Sequence, residues 1–135
     1  MMRIRAYTEG DLDALRRLHA TQNFGYPFPA DLDDPIFLTR LVLEDDAKRV
    51  AMASLVRLTS EVYLLHDPRA GTPLERLKQL LALHRATEQD AYQRGLTDAH
   101  AFLPPRVARS FGRRLRRLGW VPEPWTPYWK KLAAY

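Results

Sequence analysis

The first residues alternate. Between Met2 and Tyr7, Ile4 and Ala6 are set against Arg3 and Arg5, the two-residue period of a strand with one covered face. The period then lengthens: Leu12, Leu15 and Leu18 recur at helical spacing behind Thr8-Glu9-Gly10-Asp11, which has the form of a capping box. Asn23–Asp34 breaks the pattern with Phe24, Gly25, Tyr26, Pro27, Phe28 and Pro29. Proline holds itself and its predecessor extended, so no helix runs through this stretch. It reads as an apolar flap on the core, or as a lid presenting Tyr26 and Phe28 to a substrate, with a short helical turn at Asp31–Pro35. Phe37–Glu44 and Val50–Leu58 are strand-like and joined by the polar turn Asp45–Arg49. A third run, Glu61–His66, follows after Thr59-Ser60, and links this short favour antiparallel neighbours.

The longest helical pattern is Pro73–Gly95. Leu74, Leu77, Leu80, Leu81, Leu83, His84, Ala91 and Tyr92 fall on one half of the wheel, Lys78, Arg85, Gln89 and Gln93 on the other, and Gly95 is a natural stop. Asp98–Leu103 reads as a buried strand that Pro104-Pro105 ends. Arg106–Leu118 reads as a helix with Val107, Phe111, Leu115 and Leu118 on one face and arginines opposite, closed by Gly119. Trp120-Val121 and Tyr128–Leu132 read as two last strands around Pro122–Pro127. The order is β–α–loop–β–β–β–α–β–α–β–β, expected to form one domain over residues 1–135.

Composition narrows the picture. Apolar content of 46% and charged content of 27% are those of a globular chain. No run of 18 apolar residues is present and Met1-Met2-Arg3-Ile4 leads straight into a strand, so neither a membrane span nor a leader is expected, and the cytoplasm is the expected location. Without cysteine there is no disulfide, thiolate chemistry or cysteine-ligated zinc. His84 and Glu88, four apart, are half a metal site with no second pair, so no metal is expected. The net charge of +5 is local: Arg106, Arg109, Arg113, Arg114, Arg116 and Arg117 carry six positive charges, leaving the remainder near −1.

Two stretches resemble a known family. Arg3-Ile4-Arg5-Ala6-Tyr7-Thr8-Glu9-Gly10-Asp11-Leu12 is similar to the first strand and helix start of the GNAT superfamily of N-acetyltransferases, and Arg117-Leu118-Gly119-Trp120 to the end of its fourth helix, commonly Gly-Phe. The resemblance implies an α/β fold with a mixed sheet of six or seven strands and helices on both faces. It also implies acetyl-CoA as co-substrate and a small-molecule or peptide amine as acyl acceptor. In that family the turn after the fourth strand, Arg/Gln-x-x-Gly-x-Gly/Ala, holds the CoA pyrophosphate on backbone N–H groups at a helix start. Here it falls on Ala70-Gly71-Thr72-Pro73-Leu74-Glu75, with Arg69, Gly71, Thr72 and Leu74 as the cofactor-binding candidates. The motif is degenerate. Pro73 has no N–H, Glu75 brings negative charge toward an anion, and Thr72-Pro73-Leu74-Glu75 has the form of a capping box with proline at the first helical position.

The family's tyrosine acid, four residues before the Gly-Phe pair, is Leu115 here, which leaves Tyr128 as the local substitute. The candidate bases are Glu61 and His66, the latter of the one residue type that ordinarily titrates near neutrality; both also read as ordinary polar strand ends. No Gly-x-Ser-x-Gly, His-Glu-x-x-His or P-loop competes. Two function classes follow: an acetyl-CoA-dependent N-acetyltransferase of atypical motif, or a non-catalytic GNAT-fold binding or structural module of phage-encoded or accessory kind. The module would act through its arginine helix or the aromatic surface of Phe24–Phe28 and Trp125–Trp129, on a protein partner or a second copy of itself. Nucleic acid is not the expected partner, because the arginines read as a solvated helix face with acidic neighbours.

Overall fold

The computed structural model describes residues 1–134 and is mixed α/β. The chain divides into two compact units, Met1–His100 and Ala101–Tyr135.

The first unit opens with β1 (Arg3–Ala6), a 3₁₀ turn at Glu9–Asp11 and helix α1 (Leu12–Gln22). Asn23 closes α1 in the left-handed conformation, its N–H donating to His19 O. β2 (Phe37–Glu44) and β3 (Val50–Arg57) form the expected hairpin, and the three strands make one antiparallel sheet in the order β1-β2-β3. Ile4 stands opposite Leu43, and Leu43 opposite Met52. The hairpin turn is held by Asp45: its carboxylate accepts from the N–H groups of Ala47 and Arg49, both at 2.9 Å, while Lys48 takes the left-handed conformation.

The core lies on one face of this sheet. Leu15, Leu32 and Val42 are buried there, with Tyr7, Leu12, Phe28, Phe37, Val50 and Leu55 packed around them. The Asn23–Asp34 stretch is thus a flap that contributes Leu32 and Phe28 to the core, whereas Phe24 and Tyr26 stay exposed. His19 pins it, with a ring nitrogen 2.8 Å from Tyr26 O and its ring edge-on to Phe28. The other sheet face leaves Ile4, Leu41, Met52 and Val56 exposed, so helices on both faces are not found.

β4 (Ser60–Glu61) and β5 (Ala99–His100) form a separate two-stranded parallel sheet, with Ser60 opposite Ala99 and Glu61 opposite His100. This corrects the expectation of an antiparallel third strand over Glu61–His66. Val62–Leu65 is apolar on both sides, which suits a strand covered on both faces; here Tyr63 and Leu65 are exposed and the ladder stops at the bond from Val62 N to His100 O. A bidentate pair between Arg57 and Asp98, both bonds 2.8 Å, and the bond from Ser60 Oγ to Asp98 O tie the small sheet to the end of β3. Helix α2 (Pro73–Gln93) ends as expected: Gly95, in the left-handed conformation, donates to Tyr92 O, and Leu96 N donates to Ala91 O. This Schellman arrangement satisfies carbonyls the helix would otherwise leave unpaired. Its buried stripe is narrower than the wheel implies, with Leu77, Leu80, His84 and Ala91 half-buried and Leu74, Leu81, Leu83 and Tyr92 exposed.

The second unit holds helix α3 (Pro105–Arg117). The two closing strands expected at Trp120-Val121 and Tyr128–Leu132 are not strands, and the Asp98–Leu103 strand shrinks to β5. Prolines at 104, 105, 122, 124 and 127 withhold N–H donors and fix φ, which no ladder tolerates at that density. The described residues therefore form sheets of three and two strands in place of one of six or seven.

Candidate functional site

The turn from His66 to Glu75 is the one the family resemblance assigns to an anion. Asp67 organises its first half, accepting from Arg69 N at 2.9 Å through its side chain and from Ala70 N at 3.3 Å through its carbonyl. Gly71 has φ +66, a conformation that favours glycine, and the end of the Glu75 side chain lies where a Cβ would stand. The capping box forms in full: Glu75 N donates to Thr72 Oγ1 at 3.1 Å, and Thr72 N donates to Glu75 Oε2 at 3.3 Å. Arg76 folds back to donate to Ala70 O at 3.2 Å and Gly71 O at 2.8 Å. The donors a pyrophosphate would need at Thr72 and Glu75 are engaged, Pro73 has none, and a carboxylate stands at the positive end of α2. The helix macrodipole is already answered by an internal anion.

The candidate bases lie in the first unit, on β4 and on the loop before α2. Glu61 pairs with His100 in the small sheet, and its carboxylate beside the Tyr63 phenol pushes that phenol's pKa up. His66 is exposed on the loop before α2, and no hydrogen bond or ion pair among the described residues joins it to Glu61. Tyr128 belongs to the second unit, is 95% exposed and lies outside any helix or strand. Of the cofactor-binding candidates, Thr72 is engaged by the cap, the Gly71 carbonyl accepts from Arg76, and Arg69 and Leu74 are exposed. A cavity of about 70 Å³ beside α1, lined in part by Tyr7, Arg16 and Asp31, is far below the 300 Å³ or more that small-molecule sites typically offer. No cluster of three metal-ligating side chains exists among the described residues.

Sequence reasoning missed two charged constellations. Asp11 is buried and accepts both Arg5 Nη atoms, at 2.7 and 2.8 Å, as well as Thr8 N at 2.8 Å; Arg5 Nε reaches Glu44 at 2.5 Å. The guanidinium holds the Asp11 carboxyl well below the usual carboxylate range, and Asp11 and Glu44 hold Arg5 above its own. The network clasps β1 to β2 and to the start of α1; the Thr8-to-Asp11 spacing marked its local half, but nothing in the sequence announced Arg5 or Glu44. The second constellation is the Arg57–Asp98 pair, which lowers the Asp98 pKa and joins residues 41 apart.

The arginine helix is the other candidate surface. At 3.6 residues per turn Arg106, Arg109, Arg113, Arg116 and Arg117 share an arc of about 100°, a stripe roughly 16 Å long. Val107, Phe111, Leu115 and Leu118 on the other side are half-buried. Arg114 lies 6.0 Å over the Phe111 ring. No ion pair among the described residues reaches any of the six arginines. Residues 101–135 hold eight Lys and Arg against Glu123, a net charge of +7. The helix closes through a Schellman motif, with Gly119 N donating to Arg116 O and Trp120 N to Leu115 O. The Gly119-Trp120 pair that resembles the family's Gly-Phe thus has a sufficient reason in helix termination. In the same unit Phe102, Trp125, Tyr128 and Trp129 stand at least half exposed.

No family model matches the chain, and no curated protein or solved structure is similar enough to count as a match.

Proposed function

We propose that this chain is a non-catalytic binding module with a GNAT-like order of elements, and that it engages a polyanionic partner through α3. One observation carries the reading: six guanidiniums on one short helix that no carboxylate among the described residues neutralises. A cationic surface of this density attracts polyanions over a Debye length and accelerates encounter with them. The acetyltransferase reading is opposed by the Glu75 carboxylate and Pro73 in the turn where CoA would sit. Zero cysteines agree with a cytoplasmic location. No helix among the described residues is long and apolar enough to cross a membrane.

Two measurements on the full chain test this. Millimolar acetyl-CoA should leave the thermal midpoint unchanged; a ligand at 100 times its dissociation constant would stabilise by about 2.7 kcal/mol, and a shift of that size would restore the enzyme. The chain should be retained on immobilised heparin and released by salt, and replacing Arg113, Arg114, Arg116 and Arg117 with glutamine should abolish retention. Unchanged retention would remove α3 as the binding surface.

A further inference from the structure

Resting on the polyanion reading of α3, we infer that the second unit binds single-stranded nucleic acid, with the arginine stripe along the phosphates and exposed aromatic rings against the bases.

Three observations select this polyanion. The first is the composition of the exposed face of α3: it is guanidinium, which pairs bidentately with phosphate oxygens and also stacks on planar groups. The second is the set of exposed rings in the same unit as that charge. Tyr128 is 95% exposed and Trp129 87%, with Trp125 at 53% and Phe102 as a fourth ring. Rings of this size with a solvent-facing side offer flat apolar area for stacking. A single strand offers base faces for them to stack on, whereas a duplex keeps those faces inside its own stack. The third is the state of the helix's apolar side. A helix that lies in a lipid surface must sink its apolar face into the acyl boundary. In α3 Val107, Phe111, Leu115 and Leu118 are already half-buried, and Trp120 is folded onto the same end by the bond from its N–H to Leu115 O. The helix has charge to offer a surface but little free apolar face, which suits a phosphate backbone better than a bilayer.

The order along the chain fits the same division of labour. Pro122, Pro124 and Pro127 withhold N–H donors and residues 121–132 join no ladder, so Trp125, Tyr128 and Trp129 follow one another in a segment outside helix and strand. Lys130 and Lys131 follow immediately, adding charge where the rings end. The chain would therefore read the backbone with Arg and Lys and hold bases by their π faces, with little sequence preference.

The test uses the full chain and a fluorescently labelled single-stranded oligouridylate of about 15 nucleotides, within the range of known single-strand sites. A duplex of the same length, heparin and phosphatidylserine vesicles serve as competitors. The expected result is binding to the single strand in preference to the duplex, with quenching of tryptophan fluorescence. The salt dependence should become shallower by about 3 in log–log slope when Arg113, Arg114, Arg116 and Arg117 become glutamine, at about 0.7 per phosphate contact on a single strand. Trp125→Ala and Trp129→Ala should each weaken oligouridylate binding about five-fold or more while leaving heparin affinity unchanged, and Trp129→Phe should restore much of it. Heparin binding with no tryptophan quenching by the oligouridylate, a quantity that needs no variant, would overturn the inference and leave the polyanion reading standing. A preference for duplex or for vesicles would overturn it likewise. Failure to bind heparin and oligouridylate alike would remove both.

Discussion

Replacing Asp11 with asparagine should be the most costly single change of charge in the first unit. Asp11 is 6% exposed and its carboxylate accepts four hydrogen bonds: two from the Arg5 guanidinium, one from Thr8 N and one from Thr8 Oγ1 at 3.2 Å. The amide that takes the carboxylate's place would keep one acceptor oxygen and turn an NH2 group toward donors. Breaking one partner of a buried pair typically costs about 3–5 kcal/mol, and a bond to a charged group contributes about 1.5–3. Arg5 retains Glu44 and is 22% exposed, so the loss falls near the lower figures, about 2–3 kcal/mol. For a chain of this length that lowers the thermal midpoint by roughly 10 °C. The pH dependence supplies the sharper check. The Asp11 pKa is depressed on folding, so its contribution is complete above the ordinary carboxylate value near 4 and is lost as pH falls toward the folded value. Urea denaturation of both proteins should therefore show a gap that is full at pH 7 and narrows steadily below about pH 4. Asp45 and Asp98 are also depressed but are common to both proteins and cancel. A gap under about 0.5 kcal/mol at pH 7, or one that persists unchanged to pH 3, would refute the assignment of Asp11 as the clasp.

Other consequences follow from packing and capping. Gly71→Ala should destabilise by about 1–2 kcal/mol, because φ is +66 while the one close atom is the movable end of Glu75; in a Glu75→Ala background thermal melts should show a similar cost, and a much smaller one there would mean that Glu75 is held rigidly over the turn. Thr72→Ala should cost about 1 kcal/mol by chemical denaturation through the lost α2 cap. Val42→Ala should cost about 2–3 kcal/mol, as it is 1% exposed at the centre of the sheet, whereas Met52→Ala on the open face should stay within about 0.5. If denaturation midpoints rank these two in reverse, the core lies on the other face.

How much is legible depends on range. Helix starts and stops are local events. Thr72 and Glu75 name their own cap, Gly95 and Gly119 their own Schellman ends, and Asp45 its own hairpin turn, because each involves residues close along the chain. The β2–β3 hairpin is equally readable, since a polar turn between two apolar runs has few alternatives. Strands without such neighbours are not. Val62–Leu65 and Phe102-Leu103 have strand composition, but a strand exists only when another chain segment completes its ladder, and composition cannot say whether one arrives. The prolines at 122, 124 and 127 are in plain view, and together they outweigh the apolar residues flanking them.

The sequence by itself determined the α/β class, the three helices with their caps, and the confinement of the positive charge to one helix. It also determined that the turn at 70–75 lacks one N–H, at Pro73, and carries one carboxylate, at Glu75, since both are properties of residue type. Only the tertiary structure decided what those residues meet. It set Glu75 over Gly71, joined Arg5 to Asp11 and, 39 residues away, to Glu44, and split the expected sheet into three strands and two. It also left the arginines of α3 without an ion pair among the described residues. Charge is additive along a sequence, but its neutralisation depends on distance in space, which only the fold sets.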